Sequence, residues 1–85
     1  MKLTKEQKYN NSTIKTGTRI LQNKLIKLGE DITFEEETIR LNSNNTNTEL
    51  GDARVIVAKG RLVILNGMVK QLNSCINILE SSLIE

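Results

Sequence analysis

The chain has 85 residues, of which 38% are apolar, and its 12 Lys and Arg residues against 10 Asp and Glu residues give a net charge of +2. It contains no His, no Pro and a single Cys, Cys75. These counts exclude a histidine or multi-cysteine metal site, a Ser-His-Asp or Cys-His nucleophile and an internal disulfide. We therefore expect a small single domain that is not an enzyme and uses no cofactor.

A short first helix is predicted by the capping box of Thr4 and Gln7. The polar residues 10–13 then interrupt it, although the sequence leaves open whether they break the helix. An apolar face predicts a second helix over residues 13–28, and Gly29 is placed to end it.

A short acidic helix is predicted next, beginning at a second capping box formed by Thr33 and Glu36 and running to residue 41. Its carboxylate cluster is residues 35–37. Consecutive helical residues point about 100° apart, so these carboxylates cannot work as an acid and base pair. A polar loop of low complexity follows over residues 42–48.

One long C-terminal helix over residues 49–84 is predicted by apolar residues at alternating steps of three and four, and a capping box of Thr46 and Glu49 marks its start. This heptad seam consists of Val55, Ala58, Leu62, Leu65, Val69, Leu72, Ile76, Leu79 and Leu83. The helix would be roughly 50 Å long, whereas a compact chain of this size is roughly 30 Å across. We therefore expect an all-α fold, a short N-terminal helix plus a helical hairpin, assembled as a homo-oligomer.

The long helix has a second apolar face, opposite the seam. This face contains Ala53, Val57, Gly60, Ile64 and Gly67, with Ile56 and Val63 alongside. A helix that is apolar on all sides has to be buried on all sides, which again favours an oligomer. The alternative is a β-hairpin over residues 55–65, because two β-branched runs flank Lys59-Gly60. The heptad continues in phase through this segment, which favours the helix.

Charge is segregated along the chain. Residues 1–28, a basic arm and helix, carry a net charge of +6. Residues 29–52, which include an acidic connector over 29–48, carry −6, and the remainder of the chain carries +2. Two interpretations stay open: the basic arm and the acidic connector neutralise each other, or the arm binds an external anion.

The start of the chain lacks the apolar stretch of a signal peptide, and no apolar run reaches the ~18 residues of a membrane span. We expect a cytoplasmic protein that binds no membrane.

Cationic side chains at the start of the long helix are the best candidates for a binding site. Arg54, Lys59 and Arg61 stand among almost wholly apolar neighbours. An arginine there either pairs with an acid, Glu49 or Asp52 being near, or binds a ligand, since guanidinium groups bind phosphates well.

A resemblance to a known family rests on Tyr9, on Lys24 and on the segment Asp52-Ala-Arg54-Val-Ile-Val-Ala58-Lys59-Gly-Arg61-Leu62. This layout resembles the small phage sponge proteins that bind the cyclic nucleotides of bacterial CBASS and Thoeris defence. The resemblance implies a helical-hairpin core and multimers that enclose ligand between protomers. It also implies contacts from a tyrosine near the N-terminus, a lysine on the first long helix and an arginine on the second, here Tyr9, Lys24 and Arg61.

Our leading hypothesis is an oligomeric binding protein that sequesters an anionic small molecule such as a cyclic nucleotide. Its ligand-binding residues would be Tyr9, Lys24, Arg54, Lys59 and Arg61. One alternative is a protein-interaction module, an adaptor, chaperone or inhibitor that acts through the long helix. Another is a DNA-binding accessory protein that uses the basic arm, but the nearby −6 segment and the low total charge make nucleic acid the less favoured partner.

Overall fold

Two long helices make up the fold. The computed structural model describes residues 2–43 and 48–84. Helix α1 is Lys5–Ser43 and helix α2 is Glu49–Ser81, and they pack against each other as a hairpin with Cα extents of 67 × 14 × 14 Å. No strand occurs in these ranges. The predicted all-α helical hairpin is therefore confirmed.

Both helices begin at a threonine cap. The hydroxyl of Thr4 accepts a hydrogen bond from the N–H of Gln7 (3.1 Å), and the Gln7 side chain accepts one from the N–H of Thr4 (2.8 Å). The first predicted capping box is thus confirmed. Thr48 caps α2 by accepting from the N–H of Gly51 at 3.0 Å. The box predicted from Thr46 falls in part on residues 44–47, outside the described residues.

Helix α1 is continuous, so the separate short N-terminal helix and the separate acidic helix were wrong predictions. Residues 10–13, Gly29 and Thr33 are all helical. The hydroxyl of Thr13 donates to the Tyr9 carbonyl (3.1 Å), and that of Thr33 donates to the Gly29 carbonyl (3.0 Å). Threonine can bond the carbonyl four residues back inside a helix as well as cap a new one. Packing against α2 offsets the low helix propensity of these residues.

The predicted seam of α2 is the face that packs on α1. Every seam residue from Val55 to Leu83 is buried or half-buried, and residues 55–65 are helical, so the β-hairpin alternative was wrong. Helix α1 presents a matching heptad seam. Its members, all buried or half-buried, are Gln7, Asn11, Ile14, Thr18, Leu21, Leu25, Leu28, Ile32, Glu35, Ile39 and Asn42.

The hairpin leaves an unusually large surface uncovered. Its accessible surface is 6758 Å², whereas a monomeric protein of 9.6 kDa exposes about 5,100 Å². Its radius of gyration is 19.5 Å, against about 12 Å for a compact chain of this length. Among the described residues, only Leu28, Ala58 and Ile76 are buried apolar side chains. A single hairpin therefore gains little stability from hydrophobic burial.

Helix α2 is also long and apolar enough to be a candidate membrane span. An 18-residue window reaches a mean hydropathy of 1.2, and 6% of it is buried. The core helix of a water-soluble assembly meets the same criterion, so length and composition alone do not place α2 in a membrane.

Candidate functional site

A groove runs along one side of the hairpin between the two helices. It consists of three successive cavities of about 380, 260 and 220 Å³. The α2 residues that line it recur every three or four positions, so they share one face of the helix. We call it the interhelix groove, formed by residues 24–38 of α1 and 53–75 of α2.

An ion pair between the helices occupies the middle of the groove. Arg61 Nη1 lies 3.5 Å from Glu35 Oε1. The Glu35 side chain is 9% exposed and that of Arg61 is 62% exposed. The guanidinium therefore closes over a nearly buried carboxylate while keeping its outer edge in water. Since Arg carries five N–H donors, this outer edge remains free to bind a second anion.

The acid that pairs with Arg61 was not the one expected. The sequence suggested Glu49 or Asp52, which lie close along the chain, but the structure pairs Arg61 with Glu35 across the hairpin. The available signal was the position of Glu35 in the α1 heptad. Because α1 was predicted as separate short helices with one ending at Gly29, the sequence did not predict a heptad that continues past Gly29 to Glu35.

Arg54 lies in the same groove, whereas Lys59 does not. Arg54 and Arg61 line one cavity together with Thr38 and Val57. Lys59 is exposed and stands two residues from Arg61, which is about 200° around the helix, so it faces away from the groove. Within the described residues, neither Arg54 nor Lys59 forms an ion pair.

Lys24 lies at the wide end of the groove. It lines the largest of the three groove cavities with Lys27, opposite apolar side chains of α2 that include Met68 and Leu72. Lys27 Nζ is 3.8 Å from Asp31 Oδ1, so part of the positive charge at this end is neutralised. Cys75, an exposed free thiol, lies in the wall of the same cavity.

Tyr9 is far from the other predicted site residues. Its ring is 72% exposed near the start of α1. At 1.5 Å per residue, Tyr9 lies about 22 Å from Lys24 and about 39 Å from the layer of Glu35 and Arg61. One protomer therefore brings Arg54 and Arg61 together, places Lys24 about 16 Å from the layer of Arg61, and leaves Tyr9 outside the groove.

A third ion pair lies on the exposed side of α1. Arg40 Nε donates to Glu37 Oε2 at 2.9 Å, and Arg40 Nη2 donates to Glu37 Oε1. These hydrogen bonds lower the pKa of Glu37 below its usual 4.5 and raise the pKa of Arg40. Both groups are in water, so this pair stabilises α1 locally and does not shape the groove.

The groove combines charged groups with largely apolar walls. Its lining contains two guanidinium and two ammonium groups beside the carboxylates of Asp31 and Glu35, and cations above apolar walls suit phosphates attached to a flat ring system. In residues 2–43 and 48–84 no group of three or more His, Cys, Asp and Glu side chains is placed to hold a metal ion.

Comparison with protein-family models, with curated proteins and with solved structures found no match.

Proposed function

We propose that this chain is a homo-oligomeric binding protein that sequesters a small anionic molecule, such as a cyclic nucleotide, without making or breaking a bond. The observation that carries the proposal is the shared position of Arg54 and Arg61 in the interhelix groove. The two residues are two helical turns apart, about 10 Å along the axis, so one ligand with two phosphates can bind both.

Glu35 has a defined part in this proposal. Without ligand it neutralises Arg61 and draws the guanidinium toward the middle of the groove. A bound phosphate would share Arg61 with Glu35 and would bind Arg54 without competition from a carboxylate. Restricting a side chain before binding reduces the entropy lost when the ligand is bound.

The homo-oligomeric state is supported by the exposed surface. The hairpin exposes about 1,700 Å² more than a monomer of its mass. A contact between Tyr9 and the ligand would also require an oligomer, because Tyr9 and Arg61 lie about 39 Å apart within one protomer. Only a neighbouring protomer brings a Tyr9 to a groove that contains Arg61, as the resemblance to the sponge proteins implies.

The test is a thermal-shift panel of cyclic dinucleotides, cyclic trinucleotides and cyclic ADP-ribose isomers. A ligand at a hundred times its dissociation constant adds about 2.7 kcal/mol to the free energy of unfolding, which is a shift of many degrees for a chain this small. A positive compound is then titrated calorimetrically against the Arg54→Gln variant. Loss of a charge-assisted hydrogen bond predicts at least about tenfold weaker binding.

The matched control is Lys70→Gln, which removes one exposed cation of α2 outside the groove lining. We expect its affinity to equal that of the natural chain. If Arg54→Gln also binds with unchanged affinity, the groove is not the ligand site. If no compound shifts the melting temperature, small-anion sequestration is the wrong function.

A second candidate function is favoured by the exposed apolar side of α2. Val63 is 74% exposed and Ile64 is 65% exposed. Such side chains in a row fit a helix of another protein, as expected of an adaptor, chaperone or inhibitor. This function predicts a monomer or dimer that gains helicity or mass when a partner helix binds, and a flat nucleotide panel, so the nucleotide panel separates it from the first.

A further inference from the structure

A second heptad face of α2 is left largely uncovered by α1, and three of its members, Ala53, Val57 and Ile64, also line the rim of the interhelix groove. Its members, at alternating steps of three and four, are Leu50, Ala53, Val57, Gly60, Ile64 and Gly67. We call it the outer face. Its large side chains are exposed, and no atom beyond the local helix backbone lies within 4 Å of the position that a Cβ would take at Gly60 or Gly67. Each glycine costs about 1 kcal/mol of helix stability, and nothing within the protomer offsets that cost.

We propose that the outer face binds the outer face of a second copy, with the two α2 helices antiparallel and Val57 of one copy opposite Gly60 of the other. This inference rests on the homo-oligomeric state proposed above and goes beyond it by assigning the surface and the register. It does not depend on the identity of the ligand.

The register follows from matching large residues with small ones. In an antiparallel pair related by a two-fold axis, each step forward on one helix is a step back on the other. With Val57 opposite Gly60, Ala53 lies opposite Ile64 and Leu50 lies opposite Gly67. Every layer then combines one large and one small residue, so the helices approach closely without a gap.

Other registers match less well. A parallel pair would place Gly60 against Gly60 and Ile64 against Ile64, which alternates voids with clashes. An antiparallel pair shifted by one heptad would place Ala53 against the polar Gln71 and would leave Leu50 uncovered.

One rim of the α2 pair supports the same register, whereas the opposite rim brings Arg61 of each copy beside Arg54 of the other, a contact between like charges. On one side of the α2 pair, Ile56 comes beside Val63 of the copy, so the two most exposed apolar side chains of α2 cover each other. On the same side, Glu49 comes beside Lys70, an opposite charge. In the described residues neither Glu49 nor Lys70 has an ion-pair partner within the protomer.

The available area suits a second copy of this chain. A stable interface removes about 800 Å² from each partner, and the hairpin exposes about 1,700 Å² more than a monomer of its mass. A lipid surface is a poorer occupant, because Lys59, Arg61 and Lys70 flank the outer face and would enter the bilayer with it.

Disulfide formation between separately made variants tests the register. Val57→Cys and Gly60→Cys are each prepared with Cys75→Ser, mixed, and oxidised mildly. We expect a disulfide-linked heterodimer from the mixture and no link from either variant alone. The matched control mixes Gly60→Cys with Ile64→Cys, which the shifted register would link and the proposed register would not. Self-linking of Gly60→Cys alone, or a link only in the control, overturns the proposal.

Sedimentation of the unmodified chain, without detergent, separates this inference from the proposed function. A chain that sediments as a monomer overturns both the interface and the homo-oligomer. A chain that remains monomeric while bound to vesicles of phosphatidylcholine and phosphatidylglycerol overturns them as well. An oligomer without the 57–60 link overturns the interface alone.

A bulky substitution gives a second readout. Gly60→Leu should weaken self-association at least tenfold, whereas Gly29→Leu, at an equally open glycine of α1, should leave it unchanged. Equal effects of the two substitutions would contradict the proposed face.

Discussion

The side-chain amide of Asn11 forms two hydrogen bonds with the backbone of Ile84, 73 residues further along the chain. Asn11 Nδ2 donates to the Ile84 carbonyl at 2.6 Å, and Asn11 Oδ1 accepts from the Ile84 N–H at 3.0 Å. Ile84 lies beyond the last residue of α2, where backbone groups have no helical partner. The buried amide therefore attaches the end of the chain to α1 and fixes the register of the hairpin.

Replacing Asn11 with alanine should destabilise the hairpin. The substitution leaves the N–H and carbonyl of Ile84 without partners, so we expect a loss of about 1–3 kcal/mol in the free energy of unfolding. Urea denaturation followed by circular dichroism measures it. Asn10→Ala is the matched control, because Asn10 is exposed and alanine favours the helix. Equal stability of the two variants would show that the amide bonds do not hold the C-terminus.

Sequence reasoning predicted α2 well and α1 poorly, for a physical reason. The α2 seam is apolar at every heptad position from Val55 to Leu83, so one phase is visible over its whole length. On α1 the same positions include Asn11 and Thr18, which local propensity assigns to caps and turns, and Glu35, a charged residue that an apolar pattern does not include. The roles of these residues in the fold depend on their contacts with α2, and a local sequence pattern carries no information on those contacts.

The candidate site was likewise predicted only in part. Arg54 and Arg61 were predicted because they interrupt an apolar run, which is a local signal. Glu35 was missed as the partner of Arg61, because pairing residues 26 apart requires α1 to continue through Gly29 and the hairpin to fold in register. The distance between Tyr9 and the groove likewise follows only from α1 being one helix.

Replacing Thr18 with valine should stabilise the hairpin. The Thr18 hydroxyl is buried and has no hydrogen-bond partner among the described residues. Valine has nearly the same shape and no polar atom, so we expect a gain of about 1 kcal/mol in the free energy of unfolding. Thr16→Val, at an exposed position two residues earlier, should change stability by less than about 0.5 kcal/mol. A loss of stability in Thr18→Val would mean that the hydroxyl is satisfied, for example by a second protomer.

Glu37 should titrate below its usual range. The hydrogen bonds from Arg40 lower the pKa of Glu37 in the folded chain, so this pair stabilises the fold above the ordinary glutamate pKa of 4.5 and loses that contribution as the pH falls through the lower, folded value. Carbon-13 NMR titration of the side-chain carboxyl measures the shift. In Arg40→Gln the titration should move up to the ordinary range, and an identical midpoint in both proteins would contradict the pairing.

The two partners of the groove ion pair should respond in opposite ways to the same substitution. Arg61→Leu leaves the nearly buried Glu35 carboxylate without its partner, so we expect a loss of about 1–3 kcal/mol in the free energy of unfolding. Glu35→Leu puts an apolar side chain at a heptad position and leaves Arg61 largely in water, so stability should hold or rise by about 1–2 kcal/mol. Urea denaturation of the two variants and of the double variant measures the coupling. If Glu35→Leu proves the more destabilising, the carboxylate has a partner besides Arg61, such as a group supplied by another protomer.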